Sequence, residues 1–190
     1  AHLAEPPAGR RVHWLGTDAM GRDILSRLVY GARISLAVGL ASPLIGCVFG
    51  GFLGCLAGYL RGRTDALIVA AMDVVLAFPG LVLLLAVAYY RGPRLENIVL
   101  TLGMLSIPAF ARVARAQTLA LRKLPFVLAA RLSGAGHATV LVREIIPNVV
   151  MPLTAYAIVV VAFMIMAEGA LSFLGLGVAS PAPSWGGMIA

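Results

Sequence analysis

The residues that most often carry chemistry are few in this chain and lie far apart. None of the three histidines, His2, His13 and His137, has a cysteine or carboxylate neighbour at metal-site spacing. The one lysine, Lys123, follows an arginine rather than a glycine, so the chain lacks the phosphate-binding pattern of an ATPase. Ser133 stands in Leu-Ser-Gly-Ala-Gly, which differs from the nucleophile-elbow pattern. The sequence therefore predicts a non-catalytic protein with no metal and no cofactor, which takes its energy from elsewhere.

The composition indicates a protein that lies within a membrane. Of the 190 residues, 61% are hydrophobic and 12% charged, and the mean hydropathy is +0.95. Soluble domains contain roughly 45–50% apolar and about 25% charged residues. The formal charge is +7, but the arginines lie between long apolar runs rather than in one aromatic-rich patch. This distribution is typical of loop charges that orient a membrane protein, and it argues against nucleic-acid binding.

Four long apolar runs predict membrane-spanning helices, because a helix needs about 20 apolar residues to cross the hydrocarbon core. No run alternates as a barrel strand does, so we expect an all-α bundle. The expected spans cover residues 34–60, 74–90, 97–115 and 149–168. Glycines recur along the first run at spacings that place them on or near one stripe, at Gly39, Gly46, Gly50, Gly54 and Gly58. We expect this stripe to pack against another helix, since glycine permits close approach.

Residues 1–33 are polar and mixed in charge. Thr17 and Asp18 offer a helix cap ahead of apolar residues that share one face, which predicts a short helix near residues 18–30 at the membrane surface. An amphipathic helix that packs on its own protein fits the same periodicity equally well.

Residues 116–148 form the longest polar stretch, and a hairpin of two short helices is expected there. Pro125 is suited to the first turn of one helix, Gly134 permits a turn, and a second helix near residues 138–145 should end at Pro147. Six basic residues lie within this stretch or just before it, at Arg112, Arg115, Arg122, Lys123, Arg131 and Arg143. The positive-inside rule then places it in the cytoplasm. Residues 1–33 also contain arginines, so composition alone leaves the orientation open.

Two segments carry residues specific to a known family. The first comprises His13-Trp14-Leu15-Gly16-Thr17-Asp18, Gly21-Arg22-Asp23, Ser26-Arg27 and Tyr30-Gly31-Ala32-Arg33-Ile34-Ser35. It resembles a segment of the second permease subunit in dipeptide/oligopeptide ABC importers. The second comprises Phe126-Val127-Leu128-Ala129-Ala130-Arg131, Gly134 and Ile145-Ile146-Pro147-Asn148. It is similar to the EAA loop of binding-protein-dependent permeases.

The loop match is partial. Ala129, Ala130, Gly134 and Pro147 fall in register with the EAA pattern. Three positions depart from it, since Leu128 replaces the acid, Glu144 the first isoleucine and Ile146 the leucine. Together with weaker matches between the two segments, the resemblance covers residues 13–187.

The resemblance implies a MetI-like type I ABC importer permease fold, that is, a polytopic transmembrane helical bundle. The family has six spans, so the chain is expected to lack the first and the last. Residues 1–33 would be an external interfacial segment, and residues 34–190 the transmembrane domain with a cytoplasmic coupling loop at 116–148. Localisation would be the bacterial cytoplasmic (inner) membrane.

The resemblance also implies the function and the partners. The chain would be a permease subunit that forms, with a sister permease, the path for di- or oligopeptides delivered by an extracytoplasmic binding protein. Two cytoplasmic ATPase subunits would hydrolyse ATP. One alternative is an importer of the same architecture that carries nickel or glutathione. The other is a self-contained secondary transporter. A secondary transporter would be expected to carry charges at the centre of its spans, which these runs lack.

The resemblance and the residue types together indicate the candidate site residues. The ATPase-coupling loop is expected at Phe126, Ala129, Ala130, Arg131, Gly134 and Pro147, with Arg131 pairing with an acid on the partner. The external family motif comprises Gly16, Thr17, Asp18, Gly21, Arg22 and Asp23. Glu168, at the external end of the fourth run, is expected to contact a peptide's amino group near the translocation path. A solvated or capped interfacial acid is the alternative for Glu168.

Overall fold

The computed structural model describes residues 13–18, 21–175, 177 and 183–189, and this part of the chain is almost entirely helical. We number the helices in chain order, with α1 and α6 each containing one wide π-helical stretch. They are α1 (Ile24–Leu60), α2 (Gly62–Ala77), α3 (Gly80–Arg91), α4 (Leu95–Leu121), α5 (Pro125–Leu132), α6 (His137–Phe173) and α7 (Trp185–Ile189). Among the described residues, α1, α4 and α6 are long and apolar enough to cross a membrane.

The predicted span at 74–90 is instead a broken helix pair. Helices α2 and α3 meet at an angle of 72°, and the pair counts as a fourth crossing only if both halves form one span. Phe78 lies between them in an extended conformation with φ −83° and ψ 126°. The cause is Pro79, because a proline disfavours helical geometry in the residue before it.

The prediction of a separate short helix near residues 18–30 is wrong. Helix α1 begins at Ile24 and continues without a break to Leu60. Its N-cap is Asp23, whose carboxylate accepts a hydrogen bond from the backbone N–H of Ser26, while Thr17 forms an isolated bridge with Asp23. No proline or turn separates the charged first turns of α1 from its apolar part, so both belong to one helix.

The glycine stripe of α1 packs against α4 and α6, as predicted. A Cβ on Gly54 would lie 2.2 Å from the carbonyl oxygen of Ala111 in α4. Nearer the start of α1, a Cβ on Gly39 would lie 2.6 Å from the Ile165 side chain in α6. The backbones of α1 and α4 therefore approach to a distance that no side chain permits.

The predicted second loop helix does not end at Pro147. It is the first part of α6, which runs from His137 through Pro147 to Phe173. A π-helical stretch, Val140–Ile145, ends two residues before the proline. Proline interrupts an α-helix through its missing N–H and a clash with the carbonyl four residues earlier; a wider turn changes that geometry, so the helix continues.

Two ion pairs join α2 to α4. Arg115 donates from Nε and Nη2 to the two carboxylate oxygens of Asp65, at 2.5 and 2.6 Å, and this pair is partly buried. Arg112 donates from Nη2 to Asp73 at 2.9 Å, and both of these side chains are well exposed. The two-point contact fixes α2 against α4, whereas the single exposed contact adds little.

We predict that Asp65→Asn destabilises the protein by roughly 1.5–3 kcal/mol, because it removes a charged, two-point hydrogen bond. Asp73→Asn serves as the matched control and should cost about 0–1 kcal/mol. Thermal unfolding in detergent measures both variants. Equal losses of stability would contradict this assignment.

Candidate functional site

Helix α5 forms the tip of a compact hairpin between α4 and α6. Pro125 occupies its first turn, as predicted. Val127 is buried in a hydrophobic cluster that includes Val140 of α6. The opposite side of α5 is uncovered, with Leu128 58% and Leu132 81% exposed. The hairpin thus presents an apolar face that no described part of the chain covers.

The end of α5 is built as the sequence predicts. Gly134 has φ +86°, in the left-handed region that glycine adopts without steric cost. The Gly134 N–H donates to the carbonyl of Arg131 at 3.0 Å, and the Ala135 N–H donates to that of Ala130 at 3.1 Å. These two bonds form a Schellman motif, which ends the helix and turns the chain back toward α6.

The other predicted loop residues lie along this hairpin. Phe126 and Ala129 are exposed, and Ala130 packs against the hydrophobic cluster. The guanidinium carbon of Arg131 lies 5.2 Å from the ring centroid of Tyr59 in α1. Pro147 is exposed within α6, ten residues after that helix begins at His137. The structure therefore brings residues 126–134 together and places Pro147 apart, at the base of the hairpin.

Sequence reasoning missed three residues that hold the hairpin. The Tyr59 hydroxyl lies 3.1 Å from Nδ1 of His137, at the start of α6. Arg122, which follows α4, donates from Nη1 to the carbonyl of Tyr59 at 3.2 Å. The sequence carries only a weak signal for these contacts, because they join residues that lie 63 and 78 positions apart.

At the opposite end of the bundle, Glu168 is fully buried rather than solvated. Its Oε2 accepts a hydrogen bond from the hydroxyl of Ser35 in α1 at 2.9 Å, and its Oε1 accepts one from Ser172 at 2.8 Å. Ser172 lies 3.2 Å from the hydroxyl of Ser184, and Trp185 donates its backbone N–H to Ser35. Glu168 thus links α1, α6 and the start of α7.

The N-terminal motif builds a tight turn ahead of α1. Asp18 accepts hydrogen bonds from the backbone N–H and Nε of Arg22, and from the Arg27 guanidinium. Gly16 and Gly21 adopt positive φ values of 79° and 74°. The Ser26 hydrogen bond is the main factor holding the pKa of the Asp23 carboxyl below its ordinary value of 3.8. These residues therefore cap and stabilise the start of α1, and Thr17 takes part through its bridge.

Comparison with known proteins decides the family. Residues 50–190, which include α5, the Gly134 turn and Glu168, match the family described as "Binding-protein-dependent transport system inner membrane component". This chain belongs to that family. It is accordingly a component of the bacterial inner membrane.

Two relatives in this family match almost all of the chain. A "Glutathione transport system permease protein" of Pectobacterium atrosepticum is 44% identical over 187 residues, covering 98% of this chain and 62% of the relative. A "Di/tripeptide transport system permease protein" of Pseudomonas aeruginosa is 41% identical over 192 residues, covering 99% and 63%. The chain thus spans less than two thirds of the length of these curated relatives.

A solved structure confirms the fold expected for the family. The "MetNI methionine ABC transporter" in an inward-facing conformation aligns with a TM-score of 0.68 and 20% identity, covering 82% of this chain and 77% of that one. The fold is therefore that of a MetI-like ABC importer permease, as the sequence predicted. At this identity the likeness concerns the fold alone.

Proposed function

We propose that this chain is a transmembrane permease subunit of an ATP-driven importer. With a sister permease it forms the translocation path for di- or oligopeptides, which an extracytoplasmic binding protein delivers. The observation that carries this proposal is the hairpin, which presents an exposed apolar face on a bundle of apolar helices. The relatives transport glutathione and di- or tripeptides by name, and both kinds of cargo are short peptides.

The end of the helix bundle that carries the hairpin faces the cytoplasm in this proposal. Tyr59, Arg122 and His137 meet there, so the ends of α1 and α4 and the start of α6 lie on one side of the bundle. The compact loop after α4 carries Arg122, Lys123, Arg131 and Arg143 on this side, and the positive-inside rule applied to that loop assigns it to the cytoplasm. Residues 13–18 and 21–23 and Glu168 then lie toward the exterior, where a binding protein docks.

The exposed face of α5 is the proposed contact with the ATPase subunits. Leu128 and Leu132 supply apolar area, and Ala129 permits close approach. A short amphipathic helix of this kind fits a hydrophobic groove on a partner. Leu128 stands where the family pattern has an acid, so this contact relies on apolar burial at that position rather than on an ion pair.

Glu168 remains a proposed residue of the substrate path. The buried carboxylate must first separate from the hydroxyls of Ser35 and Ser172 before it can meet a peptide's amino group. We therefore assign such contact to a transport state in which α1 and α6 move apart at this end.

We predict that Glu168→Gln lowers peptide uptake at least tenfold, since loss of a charged hydrogen bond costs roughly 1.5–3 kcal/mol. Ser35→Ala is the control, because it removes a hydrogen bond from the same network and leaves the carboxylate charge. Uptake in proteoliposomes and thermal stability are measured together. Undiminished uptake by Glu168→Gln, or an equal loss in Ser35→Ala, would exclude contact with cargo.

Reconstitution tests the proposed function directly. The chain is co-expressed with its sister permease, the two ATPases and the binding protein, and the purified complex is placed in liposomes. We expect import of labelled dipeptide that requires both ATP and the binding protein, with glutathione and nickel tested in parallel. Uptake driven by an ion gradient without the ATPases would instead identify a secondary transporter.

A further inference from the structure

Tyr59 is a buried residue that contacts α5, the start of α6 and the residue that follows α4. It lies one residue before the end of α1, and its side chain is almost fully buried. Its carbonyl accepts the hydrogen bond from Arg122, its hydroxyl faces His137, and its ring lies against the guanidinium of Arg131. One residue thus joins the first span to the end of α4, to α5 and to the start of α6.

The contact between Arg131 and Tyr59 ties α5 to a span. The ring quadrupole attracts a guanidinium that lies over an aromatic face, and the attraction increases when water is excluded. Arg131 is half-buried, and its Nε has no hydrogen-bond partner among the described residues. The Tyr59 ring, rather than an acid among the described residues, is therefore what holds the guanidinium in place.

The surroundings of Tyr59 leave little room for local adjustment. Its neighbour Gly58 packs so closely on α4 that a Cβ there would lie 2.8 Å from the carbonyl oxygen of Arg115. On its other side, Tyr59 belongs to the same buried cluster as Val127 of α5 and Val140 of α6. A close-packed cluster transmits a displacement instead of absorbing it.

We propose that Tyr59 is the positioning residue that transmits movement of α5 to α1. This inference rests on the proposed function, in which α5 is the surface that binds the ATPase. When the ATPases displace α5, Val127 and Arg131 move with it, and Tyr59 carries that movement into the first span. The described polar and ring contacts of Tyr59 are with His137, Arg122 and Arg131 of this chain, so we expect its effect on the coupling between hydrolysis and transport.

The test compares Tyr59→Leu with Tyr156→Leu in the complete reconstituted complex. The Tyr156 ring lies 5.0 Å from that of Phe110 and packs against the same hydrophobic cluster, and none of its described ring contacts is with α5. Three quantities are measured: ATPase subunits retained on purification, ATP hydrolysed, and peptide imported per ATP. The last of these reports coupling, which a merely structural role does not change.

We expect Tyr59→Leu to retain the ATPases and hydrolyse ATP, while peptide imported per ATP falls about tenfold, within the range typical of coupling between sites. Tyr156→Leu should keep the wild-type ratio. An unchanged ratio in Tyr59→Leu would overturn the inference, and so would loss of the ATPases from that variant alone. Failure of the wild-type complex to retain ATPases would overturn the proposed function itself, which distinguishes the two failures.

Variants of Arg131 test the inference even if Tyr59→Leu does not accumulate. Arg131→Gln should also lower peptide imported per ATP, and Arg131→Lys should restore part of it, since a lysine keeps a cation near the ring. Where both sites can be combined, the double variant should be no worse than Tyr59→Leu, because the two residues act through one contact. Normal coupling in Arg131→Gln, or fully additive losses, would contradict the proposal.

Discussion

Gly134→Val is expected to abolish ATP-coupled uptake while the protein still inserts and assembles with its sister permease. The backbone at Gly134 has φ +86°, a region that a β-branched residue occupies only with strain of about 1–3 kcal/mol. To relieve that strain the chain must give up the Schellman bonds at the end of α5. The exposed face of α5 would then be displaced from the position in which it meets the ATPase.

Gly136→Val is the matched control for this prediction. Gly136 lies two residues further on, its φ is −68°, and an added Cβ would meet open space. It should cost far less than the same change at Gly134. Membrane abundance, ATPase retention and ATP-driven uptake are measured for both. Normal coupled uptake by Gly134→Val at normal abundance would show that this hairpin is not the coupling element.

Gly54→Ala is expected to lower the stability of the bundle by at least about 2 kcal/mol, at the high end of what overpacking costs. The added Cβ would lie 2.2 Å from the carbonyl oxygen of Ala111 and 2.7 Å from the Cβ of Ala114. Neither is the far end of a flexible side chain, so α1 and α4 must separate along the whole stripe. Thermal unfolding of the purified permease in detergent measures the loss.

Gly169→Ala provides the comparison for Gly54→Ala. Gly169 also lies inside a helix and faces another backbone, but its added Cβ would lie 3.8 Å from the Cα of Gly186, an ordinary contact. We expect its unfolding temperature to stay within a few degrees of the wild type. A loss as large as that of Gly54→Ala would mean that replacing any helical glycine lowers the stability, and that the close packing of α1 on α4 is not the cause.

Local chemistry explains which parts of the structure could be predicted from the sequence. Pro125 and Gly134 determine the start and end of α5 through their own backbone preferences, and both positions are as predicted. The glycine stripe likewise predicted close packing, because spacing along one helix fixes which residues share a face. Each of these inferences needs only residues within a few turns of one another.

Prediction failed at two prolines, where local signals competed, and it did not reach contacts between residues distant in sequence. Pro79 carried a signal for the 72° bend, yet the surrounding apolar run favoured a single span. Pro147 signalled a helix end, but the wide turn before it allows α6 to continue. The burial of Glu168 depends on Ser35, 133 residues away, and no spacing rule links two such positions.

Photo-crosslinking from α5 tests whether the hairpin binds the ATPase. A photoreactive amino acid replaces Leu128, on the exposed face of α5, or Leu174, which follows α6 at the opposite end of the bundle. The two leucines are similarly exposed, at 58% and 59%, so access to the probe is matched. We expect a crosslink to an ATPase subunit from position 128 and none from position 174. A crosslink to the ATPase from position 174, or its absence from position 128 in a complex that imports peptide, would contradict this expectation.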